Sequence, residues 1–191
     1  MCYNKNMKSR VVFYLITAIS FLGFITFLVL NVTLGDFFTP TMIFGTFLYH
    51  FAMRLAVGYG VGFIAKTSKI FALEKPYCAF KKEAKLYEKL GIKRWKEKAF
   101  TFNKSLFAVS ADNLNELIYQ MKKAELIHLI IIPLGYLTLL FTLFCSDFFY
   151  FWIFFSTAFF TSFIDLQSVV IQRYNLRRIF AIKNKKPLKC G

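Results

Sequence analysis

The chain has 191 residues, of which 57% are hydrophobic and 26 are phenylalanine, whereas a soluble domain is roughly 45–50% apolar. That composition excludes an ordinary soluble enzyme and leaves little room for a separate soluble domain. The net charge of +15 would suggest nucleic acid in a soluble chain, but long apolar runs assign it here to membrane topology and anionic headgroups, with no nucleic-acid partner.

Residues 1–10 are short and basic, with Lys5, Lys8 and Arg10. No charge follows between Val11 and Gly35, a run of 25 residues. At about 1.5 Å per residue such a helix spans a bilayer core of about 30 Å. It is longer than the apolar region of a cleaved signal peptide. The first span is therefore expected over about 11–33. Gly35-Asp36-Phe37-Phe38-Thr39-Pro40 reads as a turn. The second span, about 40–65, carries His50 and Arg54, which share a helix face at i, i+4. An arginine at that depth is costly unless paired or hydrated. Glu125, Asp165 and an anionic substrate group are its candidate partners. Packing through small and polar residues is the other reading.

Residues 66–123 form the one long polar segment and hold 14 of the 25 basic residues. Phe71, Tyr77, Phe80, Leu86, Leu90, Ile92 and Trp95 are interleaved with the lysines. A basic amphipathic segment with Trp and Tyr is expected to lie in the membrane interface. Asp112-Asn113-Leu114-Asn115-Glu116 reads as a capped helix start. The third span is expected over about 124–145, with Pro133 and Gly135 as a kink. A turn at Ser146-Asp147 leads to the fourth, about 148–172. A basic tail, 173–191, follows.

The fold class is thus all-α: a polytopic membrane protein with four transmembrane helices and an amphipathic interfacial segment between the second and third. Three basic residues precede the first span, 14 lie in the polar segment and seven in the tail, with none in the two short turns. The positive-inside rule puts both termini and the polar segment in the cytoplasm.

Candidate chemistry centres on Glu125 and His128, which enter the third span three residues apart, just after Lys122-Lys123. Ionisable groups inside a bilayer segment usually face a cavity or a partner. A carboxylate beside an imidazole orients the ring and raises its basicity, as a general base requires. The other reading is an interfacial pair snorkelling to the headgroups. Asp165, Gln167 and Gln172 lie late in the fourth span. Cys2, Cys78, Cys145 and Cys190 are scattered, and no metal-ligating spacing occurs.

Three stretches resemble the glycosyl-4,4'-diaponeurosporenoate acyltransferases, small membrane proteins of staphyloxanthin-type carotenoid synthesis. These are Tyr87-Glu88-Lys89-Leu90-Gly91-Ile92-Lys93-Arg94-Trp95-Lys96-Glu97-Lys98, Ala124-Glu125-Leu126-Ile127-His128, and Ile171-Gln172-Arg173-Tyr174-Asn175-Leu176-Arg177-Arg178. Gln-Arg-Tyr-Asn after an apolar span is the most specific of them. The chain departs from the family at Ala99-Phe100-Thr101-Phe102-Asn103, at Asp165-Leu166-Gln167 and at Arg177.

The resemblance implies a bacterial plasma-membrane enzyme. It would move a fatty acyl group onto a sugar hydroxyl of a glycosylated carotenoid or similar glycolipid. His128 is then the expected base and Glu125 its orienting partner. Arg173 and Arg178 would clamp an anionic group, and Asn175 would hydrogen-bond the acceptor or acyl carbonyl. Gln172, Arg54, Asp165 and Trp95 join them as expected substrate-binding residues. No cofactor is expected, only an acyl donor such as an acyl thioester or a lipid. The expected partners are that donor, the lipid acceptor and the membrane lipids. A lipid-modifying methyltransferase or reductase and a non-catalytic membrane subunit are the alternatives; no glycine-rich nucleotide fingerprint favours the former.

Overall fold

The computed structural model describes residues 3–67, 83–95 and 114–185. Among them every regular element is helical. In order these are α1 (Tyr3–Leu34), α2 (Phe38–Thr67), α3 (Glu83–Lys89), α4 (Ile92–Trp95), α5 (Leu114–Gly135), a 3-10 segment (Tyr136–Phe144) and α6 (Phe149–Lys185). Four stretches are long and apolar enough to cross a membrane: Val11–Leu34, Phe38–Ala65, Leu114–Phe144 and Phe149–Ile182. Residues 68–82 and 96–113 of the expected interfacial segment, with the Asp112-Asn113 cap, lie outside the described residues, as do residues 186–191 of the tail.

The turns follow from local chemistry. Gly35 takes φ +86°, a left-handed conformation that costs a glycine little, and its N–H donates to the Asn31 carbonyl at 2.9 Å. That closes α1. Pro40 sits in the first turn of α2, where a missing N–H is harmless. The Asp147 carboxylate accepts the Phe149 N–H at 2.8 Å and starts α6. Pro133 does not end α5, but nine residues of 3-10 helix begin three residues later. Proline removes the N–H that would bond the carbonyl four residues back. In the tightened stretch the Thr138 and Thr142 hydroxyls donate to the carbonyls of Gly135 and Leu139, each three residues earlier, at 2.9 and 2.6 Å. The Tyr49 hydroxyl donates to the Leu134 carbonyl at 2.7 Å, satisfying an acceptor at the changeover.

The chain divides into two compact units, residues 1–59 with 130–163 and residues 60–129 with 164–191. In the first, α1 and α2 meet through aromatic rings. Phe44 stacks on Phe27 at 5.2 Å, and Phe13 meets Phe51 edge-on at 5.1 Å. Gly23 allows this approach, since a Cβ there would lie 2.3 Å from the Phe44 ring. Elsewhere α1 exposes large apolar side chains, Leu22 and Val32 among them. Lipid covers such a surface. Gly23→Ala is therefore expected to destabilise the helix pair by about 1–3 kcal/mol, the usual cost of overpacking. Thermal unfolding in detergent should show a lower midpoint than wild type, whereas Gly58→Ala, whose Cβ would meet nothing within 4 Å, should not.

In the second unit the start of α5 packs on the end of α6. Leu114, Leu117, Ile118, Met121, Leu176 and Ile179 form one buried cluster, with Phe180 against it. The spacing is helical on both sides, at i, i+3, i+4 and i+7 on α5 and i, i+3 on α6. Helix α5 is present from Leu114, within the 112–116 stretch expected to start a helix, and α6 runs on to Lys185, past the expected span end near 172. Charge ends a membrane span, but it does not end a helix that has an apolar stripe to bury. Gly91, with φ +60°, turns the chain between α3 and α4, and the flanking Tyr87 and Ile92 are buried.

Candidate functional site

The chemistry lies just beyond that apolar cluster, where α5 and α6 face each other with ionisable residues. Arg173 Nε donates to Glu125 Oε1 at 2.6 Å. One turn further along α5, His128 Nδ1 lies 2.8 Å from Asp165 Oδ1. The carboxylates are the buried partners. The Asp165 side chain is 5% exposed and Glu125 11%, against 28% for His128 and 34% for Arg173. Each carboxylate therefore has a partner that offsets its desolvation, and each partner keeps an accessible side.

This pairing corrects the expected one. Glu125 was the expected orienting partner of His128, but it holds Arg173 instead, and Asp165 orients the imidazole. The reason is cross-helix register. Residues 125 and 128 share a face of α5, yet both side chains turn to α6 rather than to each other. The helices run antiparallel, so Glu125 meets the later Arg173 while His128 meets the earlier Asp165. Asp165, expected at the substrate or at Arg54, lies against His128.

Among the described residues Asp165 is the polar partner of His128. A carboxylate accepts only, so Nδ1 carries the proton in the neutral ring and Nε2 carries the lone pair. That is the tautomer a general base needs. Glu125 steadies Arg173 through Nε, which fixes the plane of the guanidinium.

The remaining predicted residues divide. Gln172, beside Arg173, has a buried Oε1 with no hydrogen-bond partner among the described residues. A group so placed costs about 1–3 kcal/mol unless a donor reaches it. Asn175 is half-buried on the same helix. Arg178 stands apart from the two ion pairs. It is exposed, with its guanidinium 5.9 Å from the centre of the Tyr174 ring. Tyr174 in turn meets the buried Tyr87 edge-on at 6.0 Å. Tyr87 opens the first of the three family-like stretches, and the structure makes it the anchor of α3 on the Gln-Arg-Tyr-Asn stretch. Trp95 ends α4, and its side chain lies outside the described residues. Arg54 belongs to the other unit and donates from Nη1 to the His50 carbonyl of its own helix at 3.3 Å. His50 is 4% exposed and packs edge-on against Tyr49 at 5.7 Å.

Comparison with known proteins gives this cluster a context. The family model for glycosyl-4,4'-diaponeurosporenoate acyltransferase matches residues 68–185, which include Glu125, His128, Asp165 and Arg173. The chain belongs to that family. No curated protein and no solved structure matches it.

Proposed function

We propose that this family member is an acyltransferase of the bacterial plasma membrane. It moves a fatty acyl group onto a sugar hydroxyl of a glycosylated carotenoid or similar glycolipid. The observation that carries this reading is the His128–Asp165 pair at 2.8 Å, with its carboxylate buried, inside the matched region.

The acceptor hydroxyl gives its proton to His128 Nε2 as its oxygen attacks the acyl carbonyl carbon. Asp165 holds the ring and stabilises the imidazolium. The tetrahedral intermediate collapses, the bond to the donor's leaving group breaks, and the imidazolium returns the proton to that group. An acyl thioester or a lipid ester both satisfy this balance, and no further cofactor enters. Arg173, steadied by Glu125, holds a phosphate or carboxylate of donor or acceptor. Gln172 Oε1 accepts from a sugar hydroxyl, and Asn175 donates to the acyl carbonyl. Arg178 adds a second guanidinium for that anionic group.

The same reading sets both termini and the 66–123 segment on the cytoplasmic side. Single cysteines at positions 36 and 147 should react with an impermeant maleimide added to intact cells, and one at 90 should react only after lysis. Labelling at 90 in intact cells would reverse the topology. For the reaction itself, purified protein in nanodiscs should esterify a glycosylated carotenoid carboxylate from a 16-carbon acyl donor. Failure by folded protein with both thioester and phospholipid donors would count against the proposal.

A further inference from the structure

Two cations stand near the ion pairs in sequence without a share in them. Lys122 and Lys123 are both half-buried on α5, in the unit of residues 60–129 and 164–191. As sequence neighbours they leave the helix about 100° apart, and their side chains reach different helices. Lys122 Nζ lies 5.8 Å from the centre of the Phe180 ring on α6. Lys123 goes to α2, where a Cβ added at Gly62 would lie 3.3 Å from its Nζ and 3.7 Å from its Cε. The ammonium is laid on bare helix backbone, in a seat that a side chain at 62 would fill. A glycine inside a helix is a cost, and the approach of Lys123 is what it permits. The carboxylates of α5 and α6 are engaged elsewhere. Glu125 holds Arg173, Asp165 holds His128, and Glu116 accepts from Gln120 Nε2 at 2.5 Å. Among the described residues neither lysine has a carboxylate within ion-pair distance.

We propose that Lys123, held on Gly62, binds the phosphate of one anionic phospholipid, with Lys122 adding to the local positive potential. Depth favours a lipid. Gly62 lies in the last turn of the apolar stretch Phe38–Ala65, and an ammonium seated there stands at the level of the headgroups. Chemistry favours a phosphate, which a lysine serves as a compact point charge. Basic sites between transmembrane helices are where lipid headgroups bind. A lysine kept only to mark the membrane boundary would extend to water and would need no seat. Two cations without a carboxylate also repel the ammonium of a zwitterionic headgroup. The preferred lipid is therefore one of net negative charge, such as phosphatidylglycerol, over phosphatidylcholine.

The test is native mass spectrometry of the full-length protein in detergent, titrated with dioleoyl phosphatidylglycerol and with dioleoyl phosphatidylcholine. Wild type should retain one phosphatidylglycerol, preferred by about fivefold or more, the scale of one lysine near an anionic surface. Lys123→Gln should lower that preference about fivefold. Gly62→Leu keeps every charge but fills the seat, and should lower it as much. Arg177→Gln, which removes an exposed cation of α6, should change it less than about twofold, because Arg177 has no part in the seat. Should Gly62→Leu not fold, the comparison of Lys123→Gln with Arg177→Gln decides alone. An unchanged preference in Lys123→Gln would overturn the proposal. So would a loss in Lys123→Gln that folded Gly62→Leu does not share, or an equal loss in Arg177→Gln, since diffuse charge would then be the cause. Displacement of the lipid by coenzyme A at equal phosphate concentration would make the occupant a soluble phosphate ester, and would overturn it too. The readout is binding, so its outcome is independent of acyl transfer.

Discussion

His128→Ala is expected to fold to normal yield and to lose acyl transfer by roughly 10²–10⁴-fold, the contribution of a positioned general base. The imidazole is partly exposed and its polar contact is the one to Asp165. Removing it deletes the proton acceptor without opening a core cavity. Glutamine at 128 would not restore the rate, since an amide neither accepts nor returns a proton at neutral pH. The comparison is made at saturating donor in nanodiscs, with size-exclusion yield as the control for folding. A network that only holds the helices together predicts the reverse, poor yield with transfer per folded molecule unchanged.

Asp165→Asn should cost of the order of 10²-fold or more in kcat while KM for donor and acceptor moves little. The amide keeps the shape of the carboxylate, but its NH₂ favours the opposite tautomer, with Nδ1 as acceptor and Nε2–H turned toward the substrate. The base is then protonated where it should be empty. Glu125→Gln and Arg173→Lys should behave differently. They loosen or replace the guanidinium fork, so their effect falls on KM for the anionic substrate. This kcat-against-KM split separates the two ion pairs, which a purely structural role would not. Equal losses for Asp165→Asn and Glu125→Gln, both in KM, would remove Asp165 from the base.

Much of the architecture was legible because a bilayer simplifies the code. The uncharged run from Val11 to Gly35 announces a span without reference to any partner. Lys122-Lys123 followed by Glu125 and His128 marks a polar cluster at the membrane boundary, because ionisable residues in an apolar span need a partner, a cavity or the headgroups. Two kinds of information were not legible. The continuation of α6 as far as Lys185 depends on an apolar stripe that packs beyond the membrane boundary, and charge counting sees only the boundary. Partner choice depends on how α5 and α6 slide past one another. Spacing within α5 suggested Glu125 for His128, and nothing in one helix reports which residue of another will stand opposite. Asp165 was expected at Arg54 or at the substrate, and its contact with His128 appeared only with both helices in place. The same holds for Tyr87, whose burial against Tyr174 needs both helices.

Acylation of a sugar hydroxyl leaves a product that mass spectrometry identifies outright. Wild-type protein in nanodiscs would be given a glycosylated carotenoid carboxylate and a 16-carbon acyl donor, and the extracted lipid analysed by mass spectrometry with fragmentation. The account predicts one added acyl group, located on the sugar, formed by wild type and absent with His128→Ala. Folded wild type that leaves the acceptor unchanged, or a His128→Ala protein that forms the same ester at the same rate, would contradict it.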